Sequence, residues 1–345
     1  MAGVTNLNIL IRCDGSVEIG MGHVVRCLAL ADELKTTHEC TVKFAVRTSS
    51  LGIDKIKRSY DVFESQEENI SFDYKGWLTE CIKKTHTDIL ILDVRDNLSR
   101  DSLRWIKKET GIKIVTIDDP EDKRLESDIA LYPPVPQVRA LDWTGYRGEM
   151  LSGWEYVILR KEFLLQYPKI HNAVPSILVS MGGTDPKNMT GFVVDCLHQI
   201  HRKFSVVFLT GSGFRFRDEL LRKLSSVSFG YTVLTEPPNV AEVMSRADIA
   251  VISFGQTAYE LAALHVPSIY ICLTEDHYLS STSFEENGLG VSEGIFSDIT
   301  NTDIAETIDE FVRNNNDRIR TKNKEVLNIS RTDAITKKII ELKHE

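Results

Sequence analysis

At 345 residues the chain is longer than one ordinary domain, and a composition 42% hydrophobic and 26% charged is that of a globular protein able to bury a sizeable core. Its net charge of −9 excludes a general nucleic-acid binder, which needs a basic surface to neutralise phosphates, but leaves room for one local cationic pocket. The six cysteines are scattered without a Cys-x-x-Cys pair, which excludes the usual zinc spacings and fits reduced thiols.

Leu7-Asn8-Ile9-Leu10-Ile11 predicts a short apolar strand, and Val24, Leu28 and Ala31 give residues 23–34 helical spacing. A strand over 40–46, a helix over 77–84 and a buried-type strand over 88–92 follow. A helix over 102–108 then leads to a strand over 112–117, which ends in Asp118-Asp119-Pro120. Strands separated by helices predict a parallel sheet with crossover helices. Pro133-Pro134-Val135-Pro136 halts the alternation, and the chain to about 175 reads as a connection between domains. The alternation restarts with a strand over 176–180, a helix over 190–200 and a strand over 204–209 ending in Thr210-Gly211-Ser212-Gly213. A helix over 240–246, a strand over 249–252, a helix over 257–264 and a strand over 267–272 complete it, and 302–344 read as helical and solvated. The expectation is an α/β chain of two Rossmann-like domains: 1–150, a linker over 151–174, 175–330, and a C-terminal helix over 331–345. Two doubly wound sheets of this kind are expected to face each other across a cleft, with ligands beyond the carboxyl ends of the strands. The longest apolar runs are strand-sized and no basic-then-apolar leader opens the chain, so a cytoplasmic protein without membrane insertion is expected.

Between the first strand and first helix lies Arg12-Cys13-Asp14-Gly15-Ser16-Val17-Glu18-Ile19-Gly20-Met21-Gly22-His23-Val24-Val25-Arg26. Gly20 and Gly22 supply two glycines of a dinucleotide fingerprint, but the third position holds Val25. The second strand ends in Val46-Arg47-Thr48, with no acid for a ribose, and no Gly-Lys-Ser/Thr of a P-loop is present. What remains is a glycine-rich turn that offers His23 at a helix start, where free N–H groups and the helix dipole favour an anion. A histidine there can act as a base or simply cap the turn, and spacing alone leaves both readings open. The same holds for Arg12 and Asp14, since a charged strand end is often a solvated edge. Cys13 and Cys27 lie close by and read as packing residues.

Ser180-Met181-Gly182-Gly183-Thr184-Asp185-Pro186 again follows a strand and precedes a helix. Its adjacent glycines suit a backbone cradle for phosphate with the Thr184 hydroxyl as a further donor; the plain alternative is a turn in which Asp185-Pro186 starts the helix. Ser253-Phe254-Gly255-Gln256-Thr257-Ala258-Tyr259-Glu260 has the same position, and a carboxylate at Glu260 can accept both hydroxyls of a ribose. Taken alone, Glu260 reads as an exposed helix residue. Thr274-Glu275-Asp276-His277 follows the last strand; it clusters metal-ligating types but has no i, i+4 pair, so no metal site is expected.

Together these residues resemble the UDP-sugar hydrolases of pseudaminic-acid biosynthesis and their spore-coat-polysaccharide relatives, which resemble in turn the GT-B nucleotide-sugar glycosyltransferases. The resemblance runs from Ile9 to about Gly290, and its most specific piece is Arg12-x-Asp14-x-Ser16-x-x-Ile19-Gly20-x-Gly22-His23-x-x-Arg26. Supporting pieces are Ile91-Leu92-Asp93, Ile117-Asp118-Asp119, the run from Tyr156 to Phe163, Met181-Gly182-Gly183-Thr184-Asp185 and Glu260. It implies release of UDP from an acetamido-sugar donor by water attack at the anomeric carbon, with no metal or other cofactor. It further implies that His23 is the base, that Asp14 is a second catalytic residue, and that Arg12, Gly22, Arg26, Asp276 and His277 line the substrate. Gly182, Gly183 and Thr184 then cradle the diphosphate, Gln256 and Thr257 hold the nucleotide, and Glu260 holds the ribose. The chain departs from the family at Val94-Arg95-Asp96, where an aromatic is usual, and at Asp276-His277, where Asn-Gln is usual. Both departures fall where the sugar is expected. A glycosyltransferase using the same nucleotide-sugar site is the alternative.

Overall fold

The computed structural model describes residues 7–16, 20–47, 50–65, 72–168, 173–314, 316–327 and 332–344. Val17, Glu18, Ile19 and Thr48 of the motifs above lie outside them. The chain divides into two compact units, one of residues 1–160 with 330–345, the other of 161–329.

The first unit runs β1 (Asn8–Cys13), α1 (Gly22–His38), β2 (Thr41–Arg47), α2 (Ser50–Lys57), β3 (Val62–Ser65), α3 (Tyr74–Thr85), β4 (Ile89–Asp93), α4 (Arg100–Thr110), β5 (Lys113–Ile117), β6 (Ile129–Tyr132) and β7 (Glu149–Ser152). The strands form one parallel sheet in the order β3-β2-β1-β4-β5-β6-β7. The period of two along a strand distributes its side chains. Ile9, Ile11, Ile89 and Ile91 pack on one face with Val24, Leu30 and Leu34 of α1. Leu10, Leu90 and Leu92 pack on the other with Leu78 of α3 and Leu103 of α4. By the same parity Cys13 and Asp93, which are register partners at the carboxyl ends of β1 and β4, belong to the α1 face.

The proline run does not end this sheet: β6 and β7 extend it on both sides of 133–136. Residues 133–147 instead form a small satellite core in which Val138, Trp143 and Tyr146 gather against Tyr132.

The second unit runs β8 (Ser176–Ser180), α5 (Met189–Leu197), β9 (Ser205–Thr210), α6 (Arg217–Leu224), β10 (Gly230–Thr235), α7 (Val240–Ser245), β11 (Ile249–Ser253), α8 (Gln256–Ala263), β12 (Ser268–Cys272), α9 (Glu275–Glu286), β13 (Gly290–Ile295), α10 (Asn301–Arg313) and α11 (Asp317–Leu327). Its parallel sheet has the order β10-β9-β8-β11-β12-β13. Ile177 and Val179 bury against α5, α6 and α10. The last helix, α12 (Thr332–Glu341), belongs to the first unit. There Ile335 and Ile339 join the α1 core, and Thr332 bonds the backbone of Leu159. Among the described residues no helix is long and apolar enough to cross a membrane.

Candidate active site

In each sheet the direction of strand addition reverses once, between β1 and β4 in the first and between β8 and β11 in the second. Loops at such a switch point diverge and leave a crevice beyond the carboxyl ends, where doubly wound sheets bind ligands. The three glycine-bearing motifs leave from those strands.

In the first unit α1 begins at Gly22, and its N-cap, Met21, makes no side-chain capping bond. His23 sits in the first helical turn, and its Nδ1 lies 2.6 Å from Oδ1 of Asp93. Asp93 is also gripped by Arg26, one turn along α1: Nε meets Oδ2 and Nη2 meets Oδ1, each at 2.6 Å. This fork geometry is the strong form of an arginine–carboxylate bond. The Asp93 side chain has no exposed surface, while that of His23 is 22% exposed. Burial alone would raise the Asp93 carboxyl's pKa, but Arg26 and then His23 hold it well below the usual carboxylate range. An ionised carboxylate only accepts hydrogen bonds, so Nδ1 must carry the proton. The neutral ring then presents Nε2 as its basic nitrogen. Arg26 further approaches Asp118 at 3.4 Å, and Asp118 meets Arg95 at 3.5 Å, so a chain of alternating charges leads away from the histidine.

Asp14 is placed elsewhere. Its carboxylate takes a bidentate bond from Arg12, at 2.7 and 2.6 Å, and a 2.7 Å bond from the backbone amide of Arg47. Arg12 is fully buried and also donates to Tyr74, to the Cys13 carbonyl and to Asp96. Its guanidinium lies 5.5 Å from the Tyr74 ring centre and 5.6 Å from that of Trp77. All five N–H donors of Arg12 are thereby committed within the protein. The geometry makes Arg12 and Asp14 the tie between β1, β2 and the loop after β4, and gives His23 a different carboxylate as partner. Spacing along the chain does not reveal this role of Asp93; the available signal is a buried-type strand that ends in an acid on the α1 face.

In the second unit Gly182 takes φ +85°, a conformation that favours glycine, and a Cβ there would meet nothing within 4 Å. Gly183 is packed against the loop after β9: a Cβ on Gly211 would come 2.3 Å from the Gly183 carbonyl oxygen. Thr184 and Asp185 are buried. Asp185 does not start the helix; α5 begins at Met189, and the Asp185 carboxylate accepts the Met189 and Thr190 amides at 2.8 Å each. The first-turn donors of α5 are therefore occupied, and the backbone of Gly182 and Gly183 is what the turn can offer an anion. At α8 the N-cap is Gly255, without a side-chain cap, and Gln256 and Thr257 are half-buried in the first turn. Glu260 is buried, 3% exposed, rather than on the solvent face. Asp276 and His277 open α9 under a Thr274 cap, and the His277 ring lies 6.4 Å from that of Phe254 in the loop after β11. Since β8, β11 and β12 are neighbours, these residues share one edge of the sheet. Among the described residues no group of His, Cys, Asp and Glu is disposed to hold a metal ion.

No protein-family model matches the chain. An uncharacterised protein of Methanocaldococcus jannaschii is 29% identical over 317 residues, 86% of this chain but only 63% of the archaeal protein's length. The UDP-2,4-diacetamido-2,4,6-trideoxy-beta-L-altropyranose hydrolase of Campylobacter jejuni is 27% identical over 289 residues, 83% of this chain and 98% of that enzyme. The spore coat polysaccharide biosynthesis protein SpsG of Bacillus subtilis is 24% identical over 294 residues, 84% of each chain. Among solved structures, MurG of Acinetobacter baumannii superposes with a TM-score of 0.68 at 12% identity, covering 97% of this chain and 99% of that one. The chain is thus a homologue of the altropyranose hydrolase and of SpsG, built on the fold of the GT-B glycosyltransferases.

Proposed function

We propose that the protein hydrolyses a UDP-linked acetamido sugar, releasing UDP and the free sugar on the way to a nonulosonic acid or a surface polysaccharide. The observation that carries the reading is the 2.6 Å contact between His23 Nδ1 and buried Asp93 at the switch point of the first sheet. It fixes the tautomer and orients Nε2 as a general base. In the reaction a water oxygen bonds to the anomeric carbon as its proton passes to His23 Nε2. The bond from that carbon to the diphosphate oxygen breaks, and its electron pair leaves with UDP. The second unit holds the nucleotide: the Gly182 and Gly183 amides and the first turn of α8 take the diphosphate, and Glu260 takes the ribose. Donors fixed before the reaction stabilise the charge that builds on the leaving group without reorganising. The relative covered almost end to end by this chain bears a hydrolase name, which supports water as the acceptor.

The fold's likeness to glycosyltransferases favours a second reading, in which the same nitrogen deprotonates an acceptor hydroxyl. Incubation with a panel of UDP- and CMP-linked amino sugars separates the two. Free UDP without any added acceptor means hydrolysis, and release that requires an acceptor means transfer. His23→Ala is expected to lower turnover by about 10³-fold or more while UDP affinity, measured by calorimetry, stays within a few-fold. A variant that kept its activity would sink the assignment of His23.

A further inference from the structure

We propose that Cys27 is a positioning residue: its S–H donates to Oδ2 of Asp93 and sets how strongly Asp93 pulls on His23. The inference rests on His23 being the base, as read above.

Cys27 is one helical turn after His23 on α1 and fully buried. Its Sγ lies 3.3 Å from Asp93 Oδ2, the oxygen that also accepts Arg26 Nε. The other oxygen, Oδ1, accepts His23 and Arg26 Nη2. The carboxylate is therefore held by four donors, two on each oxygen. Burial pushes the Cys27 thiol well up, with neighbouring Cys13 and Asp93 adding to it, so the group keeps its proton and remains a donor at the pH values where a histidine base works. A thiol is a weak donor, but between two buried groups, where the dielectric is low, even a weak donor draws charge towards the oxygen it faces. Charge drawn to Oδ2 is charge withheld from Oδ1. Loss of the S–H concentrates the carboxylate's charge on the His23 side and strengthens the Nδ1–H bond there. A cysteine that only packed at this position would lack that effect.

The experiment compares wild type, Cys27→Ala and Cys27→Ser by two readouts. The first is the proton resonance of the His23 Nδ1–H, observed by NMR without any substrate. The second is the pH profile of kcat/KM with whichever UDP-sugar the wild type consumes. In Cys27→Ala the resonance is expected to move downfield, and the acidic limb of the profile to rise by about half a pH unit, a loss of about threefold on the acid side. Cys27→Ser, which retains a donor, returns both towards wild type. An unchanged resonance and limb in Cys27→Ala, or equal shifts in both variants, would overturn the proposal and leave Cys27 as packing. Failure of the wild type to release UDP from any nucleotide sugar would refute the proposed function instead, while the resonance still decides the role of Cys27.

Discussion

Asp93 is held as an anion in a place where burial disfavours charge, and two groups of α1 offset that cost. Replacing it by Asn keeps the shape and removes the charge. The amide can present an N–H to His23, which favours the wrong ring tautomer, and Arg26 loses its fork partner. Asp93→Asn is expected to lower kcat by at least about 10²-fold and, because breaking a buried pair strands its partner, to destabilise the fold by about 3 kcal/mol or more. Urea unfolding beside steady-state kinetics checks both. Asp119, two residues past β5, is the opposite case. Burial pushes its carboxyl up to about 6 against the pull of buried Lys123, and its Oδ2 is buried without a hydrogen-bond partner. A carboxyl raised from 3.8 to about 6 contributes stability that is fully present below 3.8 and lost as pH rises through 6. Asp119→Asn should therefore improve relative to wild type as pH goes from 4.5 to 7.5, by about 2 kcal/mol. A difference that stays flat across that range would contradict the titration of Asp119. Neither residue's state could be read from the chain alone, since each depends on what surrounds it.

At the scale of elements, legibility followed burial. The interior strands β1, β2, β4, β5, β8, β9, β11 and β12 all carry the apolar runs that the sequence predicts. The edge strands β3, β7, β10 and β13 do not. An edge strand keeps a solvated side and so carries polar residues, as in Glu149-Met150-Leu151-Ser152, where two of the four are exposed. Strand β6, only four residues long, escaped for want of length. Turns behaved similarly. The glycine motifs mark turns at the strand ends, but which glycine is crowded is a tertiary fact. Gly211, unremarked beyond its turn, abuts Gly183 so closely that Gly211→Ala must push the loops after β8 and β9 apart. UDP affinity in that variant is expected to fall about tenfold or more, with the secondary structure intact by circular dichroism. Unchanged affinity would remove the Gly182–Gly183 turn from the nucleotide site.

For the whole molecule, the chain's last helix closes the first unit. Ile335, Ile339 and Leu342 are buried against α1, and His38 meets Thr336 at 3.0 Å. Truncation after residue 327 removes three large core side chains and uncovers the α1 face, at a cost of several kcal/mol. Hydrogen exchange should accelerate in α1 and β1 and remain unchanged in β8 and β11. Uniform acceleration would mean that α12 supports both units. The sequence predicts this segment as helical and solvated, but α12 is not solvated: Ile335 and Ile339 are buried in a core that begins about 300 residues earlier. By itself the sequence determined the α/β class, every interior strand but β6, and the strand-end turns and helix starts that carry His23, Gly182, Gly183 and Glu260, because periodicity and glycine placement are local. Only the tertiary structure decided that His23 answers to Asp93, 70 residues away, and not to Asp14, nine residues before it. Periodicity tells which face a side chain takes; the order of strands across a parallel sheet comes from long-range packing, and it is the pairing of β1 with β4 that brings the two together.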